Sequence, residues 1–502
     1  MLLIKATINS TVYYLSQEGI PLTHWWDNKV ISFTAPKYQM REQYGGYVEL
    51  SFGSIQFSQD LFVSSWPPPR TILIEVLYTT TTEEAAESFF VGTGYMTNHD
   101  IESITYDLYN QSYEQKLLEE NITYNTVQSL GTTDGTTTNK LIDSTASFLL
   151  NDINIGDTVY NRTDRASTII VSIDSDTQIT LTNDIFTSGE EYFIGLPEPL
   201  PRAFGTITYR EPVRLPDDIS TGYQVYDLAD IQGTLGVDWF VYDDGIDVCS
   251  NVTAIANNTF QYTVSPYGTL SISGTGSLLT LKDICEWACG LSKLNLSFVH
   301  TYDRTISPNI NYWANTQELL IDFLSNIATW NTHLFYIKSS TFTLVDLLLD
   351  NSSRTITEWD YFKAPYGYPA PISKITSTWQ NRIAGTWSNP ANTEPAATYV
   401  KEYEQTHSVE SGYAYGENQD ITPYSDVISD IETASNNILI IKHRIKSDIT
   451  IPLQNNLPVP GEKISWVDES FFDTLNIWIR ARDITYDFDN EEITISGEGG
   501  VS

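Results

Sequence analysis

Cysteine is scarce in this 502-residue chain, which has only three: Cys249, Cys285 and Cys289. A small odd number in a long chain implies no disulfide framework. Histidine is also sparse: the six, at 24, 99, 300, 333, 407 and 443, are scattered. They form no H-E-x-x-H and join no Cys/His set with zinc spacing, so the common zinc chemistries find no ligands here. Long apolar runs are missing, and none reaches membrane-spanning length. The opening MLLIKATINSTVYYLS breaks into alternation within a few residues. It lacks a basic region followed by a long apolar core, so no signal peptide is expected. The N-x-S/T triplets, such as Asn121 to Thr123, then carry no glycosylation message, and folding in a cytoplasm is expected. Positive charge is short too: 27 Lys and Arg face 64 Asp and Glu, for a net −37. Tight binding of a phosphate backbone works by cationic neutralisation, which this balance opposes. The acidity is read either as solubility through self-repulsion or as the lining of a passage that nucleic acid traverses without sticking.

What is abundant points to strands. Aromatics make up 13% of the chain, with 31 Tyr and 12 Trp, and hydrophobic residues make up 41%. Aromatic and β-branched side chains fit a pleated, half-buried surface, and the length suits roughly three or four domains. Ile4 to Ile8 and Thr11 to Leu15 alternate around Asn9-Ser10, the pattern of a hairpin. Tyr47 to Phe57 alternates as one further segment, and Ile72 to Tyr78 and Ile101 to Tyr109 read as strands. Pro67, Pro68 and Pro69 make a stiff stop after Trp66. From GTTDGTTTNK onward, short strands at 158–161, 168–173, 178–181 and 192–194 alternate with Asp, Ser, Asn and Gly turns. Such a texture suggests a small β module inserted in a larger domain. Residues 202 to about 276 are β-like again.

Helices come next. Leu281, Ile284, Cys285, Ala288 and Cys289 share a helical face, as do Leu319, Leu320, Phe323, Leu324 and Ile327. Asn315 with Glu318 is expected to cap the second. Asp426 to Ile445 is amphipathic, and strands at 448–453, 463–467, 477–486 and 492–496 follow it. One helix with an antiparallel sheet buries one sheet face. One pentapeptide recurs: Ile104-Thr105-Tyr106-Asp107-Leu108 echoes Ile484-Thr485-Tyr486-Asp487-Phe488, suggesting related β domains at the two ends.

Chemistry is hard to find. Cys285 and Cys289, four apart on an apolar helical face, read as core. Asp243-Asp244-Gly245-Ile246-Asp247 lacks the remaining ligands of a calcium loop and reads as a turn, as do Asp174 and Asp176. No G-x-S-x-G or phosphate loop occurs. No catalytic residue, metal ligand or cofactor is assigned. Among the tryptophans, Trp25, Trp26 and Trp66 sit at ends and links rather than in apolar patterns. They are the candidate interface anchors.

The segments LPVPGEKISWVDE and NIWIRARDITYDFDNEEITISGEG resemble the tube-like domain of bacteriophage tail hub, or baseplate hub, proteins. LKDICEWACGLSKLNLSF and TQELLIDFLSNIATWNTHLFYIKSSTFTLVDL resemble the middle domain of that family. LIDSTASFLLNDINIGDTVYNRTD to SGEEYFIG is similar to a small insertion in marine phage tail proteins. The resemblance touches most of the chain, through pattern and order rather than a single specific motif. It implies a mainly β, multidomain fold with α+β elements. The N-terminal tube-like domain and associated segments would span 1–129 and 197–278, and the inserted module 130–196. A compact α/β middle domain would take 279–360 and a C-terminal tube-like domain 361–502. It further implies a non-enzymatic homotrimer in the virion that presents six similar domains as a ring. Its partners would be the tail tube, distal tail proteins and tip or fibre proteins, with DNA passing through the lumen. The competing reading is a carbohydrate-binding or carbohydrate-cleaving surface protein, since two carboxylates suffice for a glycosidase.

Overall fold

The computed structural model describes the chain except for residues 110–128, 196–200, 216–222, 302–307, 349–353, 357–365, 368–371, 388–396, 412–415 and breaks of one to three residues elsewhere. The fold is mainly β and multidomain, with several curled sheets, few helices and separate hydrophobic cores.

The opening sheet has nine strands: β1 (Leu2–Ile8), β2 (Thr11–Ser16), β3 (Ile20–Pro21), β4 (Trp25–Asn28), β5 (Val30–Thr34), β8 (Gly53–Ser58), β9 (Thr71–Tyr78), β10 (Glu87–His99) and β11 (Ser103–Tyr109). Their order in space is β3-β4-β2-β1-β9-β10-β11-β8-β5. Asn9 and Ser10 both take positive φ, 47° and 69°. That is the type I′ geometry that matches strand twist in a two-residue hairpin, so β1 and β2 pair where alternation predicted.

The hairpin β6 (Tyr38–Glu42) and β7 (Gly45–Leu50) leaves this sheet. β7 pairs in parallel with β12 (His333–Lys338), which pairs with β13 (Thr341–Asp346), while Tyr38 of β6 lies opposite Ile484. The run Tyr47 to Phe57, read as one strand from alternation, is therefore two strands in two sheets. The start of β7 fits closely beneath a helix. Gly46 has φ +87°, and a Cβ there would stand 2.6 Å from Ser325 Oγ. Only glycine meets both conditions.

Helices α1 (Leu281–Gly290) and α2 (Leu320–Trp330) cover β12 and β13 through a core that includes Cys285, Cys289, Phe323 and Phe335. The first stripe read from sequence is buried throughout; of the second, Leu320, Phe323, Leu324 and Ile327 are buried, whereas Leu319, before the helix, is exposed. The expected cap at Asn315 is not formed: α2 begins at Leu320 after Leu319, with no side-chain cap. The capping box lies instead on α1, where Thr280 and Asp283 bond each other's backbone N–H.

The inserted segment is a six-stranded antiparallel sheet with its own core of Leu141, Phe148, Val159, Ile179, Tyr192 and neighbours. No described strand of it pairs with a strand outside it. Residues 202–275 supply two four-stranded sheets around Trp239, Phe260 and Ile272.

Helix α3 (Ile428–Lys442) leads into the closing strands β14 (Ile445–Pro452), β15 (Lys463–Phe471), β16 (Asp473–Asp487) and β17 (Glu492–Val501). Alternation is strict here: Ile445, Ile449, Ile451, Ile493 and Ile495 are buried while Lys446, Asp448 and Thr494 are exposed. Each isoleucine so buried contributes about 1.5–3 kcal/mol. Among the described residues no helix is long and apolar enough to cross a membrane.

Candidate functional site: the two end sheets

The four strands β8 to β11 and the four strands β14 to β17 share one connectivity. The first set lies in the order β9-β10-β11-β8 and the second in the order β15-β16-β17-β14, every neighbour antiparallel. Smaller details coincide. The residue after the first strand donates its N–H to the carbonyl just before the last: Gln59 to Glu102 at 3.1 Å, Leu453 to Glu491 at 2.7 Å. A turn between the third and fourth strands is closed by an aspartate accepting from two backbone N–H groups: Asp100 from residues 102 and 103, Asp487 from residues 489 and 490. Those donors hold both carboxyls below their ordinary value. In each sheet a buried tyrosine, on the fourth strand of the opening set but the third of the closing set, donates to a proline carbonyl in the link between first and second strands. Tyr106 reaches Pro69 at 2.8 Å and Tyr486 reaches Pro458 at 2.6 Å. Burial pushes both phenols up.

The pentapeptide echo does not mark this repeat. Ile104–Leu108 lies in β11, the fourth strand, whereas Ile484–Phe488 begins in β16, the third. The correspondence is one of connectivity, and the matching letters fall on different strands.

The sheets meet within the chain. Glu87, at the start of β10, accepts from Asn456 N at 2.7 Å and Leu457 N at 3.2 Å, capping the β14–β15 link. Tyr78 Oη donates to Leu453 O at 3.5 Å. Phe89 packs edge-on against Tyr486 and Phe488, with ring centroids 4.7 and 5.4 Å apart. Such aromatic pairs add to simple area burial. A single core runs through both sheets.

Their other faces differ. Across the opening sheet, Val12, Thr7, Leu73 and Thr93 stand in register, with Leu73 59% exposed. Across the closing sheet the corresponding kind of row is Lys446, Glu498, Arg480 and Lys463. Arg482 Nη1 is 2.5 Å from Glu498 Oε1, and Arg444 and Lys463 flank the Trp478 ring at 5.0 and 4.6 Å. Burial pushes the Glu498 carboxyl up, against the pull of Arg482, Lys446, Arg444 and Lys442. Burial likewise lowers Lys442, to about 8. Lys446, Lys463, Arg480 and Arg482 stand on this sheet, and Lys442 and Arg444 approach it from the end of α3 and the residues before β14.

The three tryptophans singled out from sequence are not brought together. Trp26 is fully buried against Leu3, Leu77 and Tyr14, and its Nε1 donates to Glu83 at 3.2 Å. It pins the β3–β4 flap over one end of the opening sheet, a role inside the subunit. Trp25 is 62% exposed on that flap. Trp66 is 53% exposed in the β8–β9 link, its ring 5.1 Å from that of His99. Sequence reasoning missed the cations around Glu498. They alternate along strands, as in IKSD and WIRAR, and only cross-strand register gathers them.

Elsewhere the acidic turns are structural. Asp243 accepts from Tyr262 Oη and Gly268 N, and Asp174 pairs with Lys140. Among the described residues no group of three or more His, Cys, Asp or Glu could hold a metal ion.

No protein-family profile matches the chain, and no curated protein matches it. Solved structures similar to it include a tail protein from Neisseria meningitidis MC58, at 7% identity and TM-score 0.37, over 99% of this chain and 96% of that one. The 43 kDa tail protein of prophage MuSo2 from Shewanella oneidensis aligns at 8% identity and TM-score 0.37, over 100% of both chains. A chain of the native gene transfer agent virion aligns at 9% identity and TM-score 0.38, over 60% of this chain and 84% of that one.

Proposed function

We propose that this chain is a structural subunit of a phage tail tip, a hub whose three copies close into a ring around the DNA passage. The ring joins a six-fold tail tube to a three-fold tip. The observation that carries the reading is the shared connectivity of the two end sheets, β9-β10-β11-β8 and β15-β16-β17-β14. A polypeptide that holds two like sheets in contact supplies two of six positions, so three copies complete a pseudo-six-fold ring. Closed rings are the common way to satisfy head-to-tail contacts, and they leave few sheet edges open to aggregation. The resemblance of the closing and middle segments to tail hub proteins agrees with this role. In the reading the subunit acts by shape, in the virion, with the tail tube and the tip proteins as partners.

Mass measurement in solution combined with negative-stain imaging tests it. A mass of three chains and a three-fold ring with a central hole is expected. A discrete monomer that hydrolyses polysaccharide would instead favour the carbohydrate reading.

A further inference from the structure

Residues 20–28, the flap made by β3 and β4, are held to the opening sheet by little backbone pairing. β4 meets β2 at Leu15–Asp27 and Ser16–Asn28, and β3 meets β4 at Ile20–Trp26 and Pro21–Trp25. The neighbouring β1 and β9, by contrast, pair all the way from Leu2 to Thr7. Beneath the flap lies a small core of its own. Trp26, Leu3 and Leu77 are buried there, with Tyr14, Ile20, Leu22 and Ala86 packed around them. Leu3 and Leu77 stand opposite each other on the face that also carries Thr7 and Leu73, turned away from the core that joins the two end sheets. A segment with few backbone bonds and a small separate core is the kind that opens locally before the rest unfolds.

One carboxylate fastens this flap. Glu83 begins a short 3-10 turn, Glu83–Ala85, between β9 and β10. Its Oε2 accepts from His24 N at 2.9 Å and from Trp26 Nε1 at 3.2 Å, and its Oε1 lies 2.6 Å from His24 Nδ1. The Glu83 side chain is only 11% exposed. Glu84, beside it, accepts from Thr23 Oγ1. The His24 ring stacks on Tyr14 of β2, with centroids 4.1 Å apart. The groups that face Glu83 are thus His24 from the flap, Tyr14 beneath it, and Glu84 on its own turn. Burial pushes the Glu83 carboxyl up, and the donors of His24 and Trp26 outweigh it, leaving the group below its ordinary value of 4.5. Hydrogen bonds to an ionised acceptor are roughly twice as strong as neutral ones. Three contacts to the flap therefore converge on one titratable group.

We propose that residues 20–28 form an acid-released strap, which ionised Glu83 clasps shut and protonated Glu83 lets go. The released strap swings off as a unit and bares Trp26, Leu3 and Leu77. The direction follows from linkage. A carboxylate depressed in the folded state stabilises closure above its unfolded value, and that contribution is lost as pH falls through the folded value. Closure holds at neutral pH and fails below 4.5, the ordinary value of the group. The core shared by the end sheets includes none of Trp26, Leu3 and Leu77, so it stays intact while the strap opens.

Hydroxyl-radical footprinting of the full chain, read residue by residue in a mass spectrometer, tests this from neutral pH down to about 3.5. Trp26 reports the strap, and Trp25, 62% exposed beside it, is the internal reference. Trp466, 1% exposed in the closing sheet, reports the common core. In the wild type, oxidation of Trp26 relative to Trp25 should rise about tenfold on acidification while Trp466 stays protected. Glu83→Gln should show the raised oxidation already at neutral pH and no further rise in acid. His24→Ala, which removes one partner of the carboxylate, should move the wild-type rise to higher pH and decides the matter should Glu83→Gln fold poorly by circular dichroism. Asp27→Asn, on the exposed side of the flap, should follow the wild type. Protection of Trp26 that persists at pH about 3.5 overturns the strap. So does oxidation of Trp26 that rises only together with that of Trp466, or a Glu83→Gln protein that keeps the wild-type pH profile.

Discussion

The two end sheets are built on one plan and finished differently. Each threads its four strands in the same order, ties its first link to its last turn by the same backbone bond, and seals a proline carbonyl with a buried tyrosine. Yet Thr7, Leu73 and Thr93 run across the far face of one, and Lys446, Glu498, Arg480 and Lys463 across the far face of the other. Connectivity and inward alternation are under one constraint, the need to bury one face against a common core. The second faces do not line that core and can diverge: Leu73 is exposed on one, whereas Arg480, Glu498 and Lys463 are themselves buried on the other. The shared parts therefore report the fold, and the divergent parts report what each sheet meets.

The largest expected effect tests whether the two sheets depend on one another. Phe89→Ala removes the ring packed on Tyr486 and Phe488 and should cost about 3–5 kcal/mol in urea unfolding. A loss below about 1 kcal/mol would show that the sheets are stable separately. The faces can be contrasted next. Arg482→Ala breaks a largely buried pair with Glu498 and should cost about 3 kcal/mol or more. Lys5→Ala, which removes a half-exposed partner of Glu75, should cost at most about 1 kcal/mol. Similar losses for the two would erase the distinction drawn between the faces.

Smaller changes probe the shared plan. Tyr106→Phe and Tyr486→Phe each leave a proline carbonyl without its hydroxyl donor, and each should lower stability by about 1–2 kcal/mol. A loss in only one of them would mean that the two locks are not equivalent. The smallest effects concern the turn aspartates. Asp100 and Asp487 are both held below the ordinary carboxylate value of 3.8 by backbone donors. A depressed carboxylate stabilises the fold above its unfolded value, and that contribution is lost as pH falls through the folded value. Asp100→Ala and Asp487→Ala should therefore each lower the melting temperature slightly at pH 7 and have no effect once the wild-type carboxylates are protonated. A difference that persists at low pH would assign the effect to backbone shape rather than to charge.

Much of the local structure was legible. Alternation located the β1–β2 hairpin, the strands of the inserted sheet and those after α3, because burying one sheet face imposes a period of two. Helical periodicity located α1 and α2 for the corresponding reason. The failures are instructive. Tyr47 to Phe57 keeps its alternation across a change of sheet, since both sheets bury one face and the pattern carries no label for which. The cap expected at Asn315 is not formed, because the helix starts only at Leu320, whose side chain is buried in the core. Trp26 and Trp66 read alike in sequence, yet one is buried on the inner side of its flap strand against Leu3 and Leu77, bonded to Glu83, and the other stands in an exposed link.

Composition and spacing by themselves determined that this is a mainly β, acidic chain whose cysteines and histidines make no zinc-spaced set. The alternation also located the β1–β2 hairpin, strands of the inserted sheet and the strands after α3. These are local properties, set by side-chain chemistry over a few residues. Tertiary structure alone decided that the repeat lies in connectivity rather than in a shared pentapeptide, that Arg482, Lys446, Arg444 and Lys442 converge near Glu498, and that β6–β7 bridges the closing sheet to the α/β unit. Strand pairing joins residues hundreds of positions apart, and the free energy that selects partners comes from a core that exists only once the chain has folded.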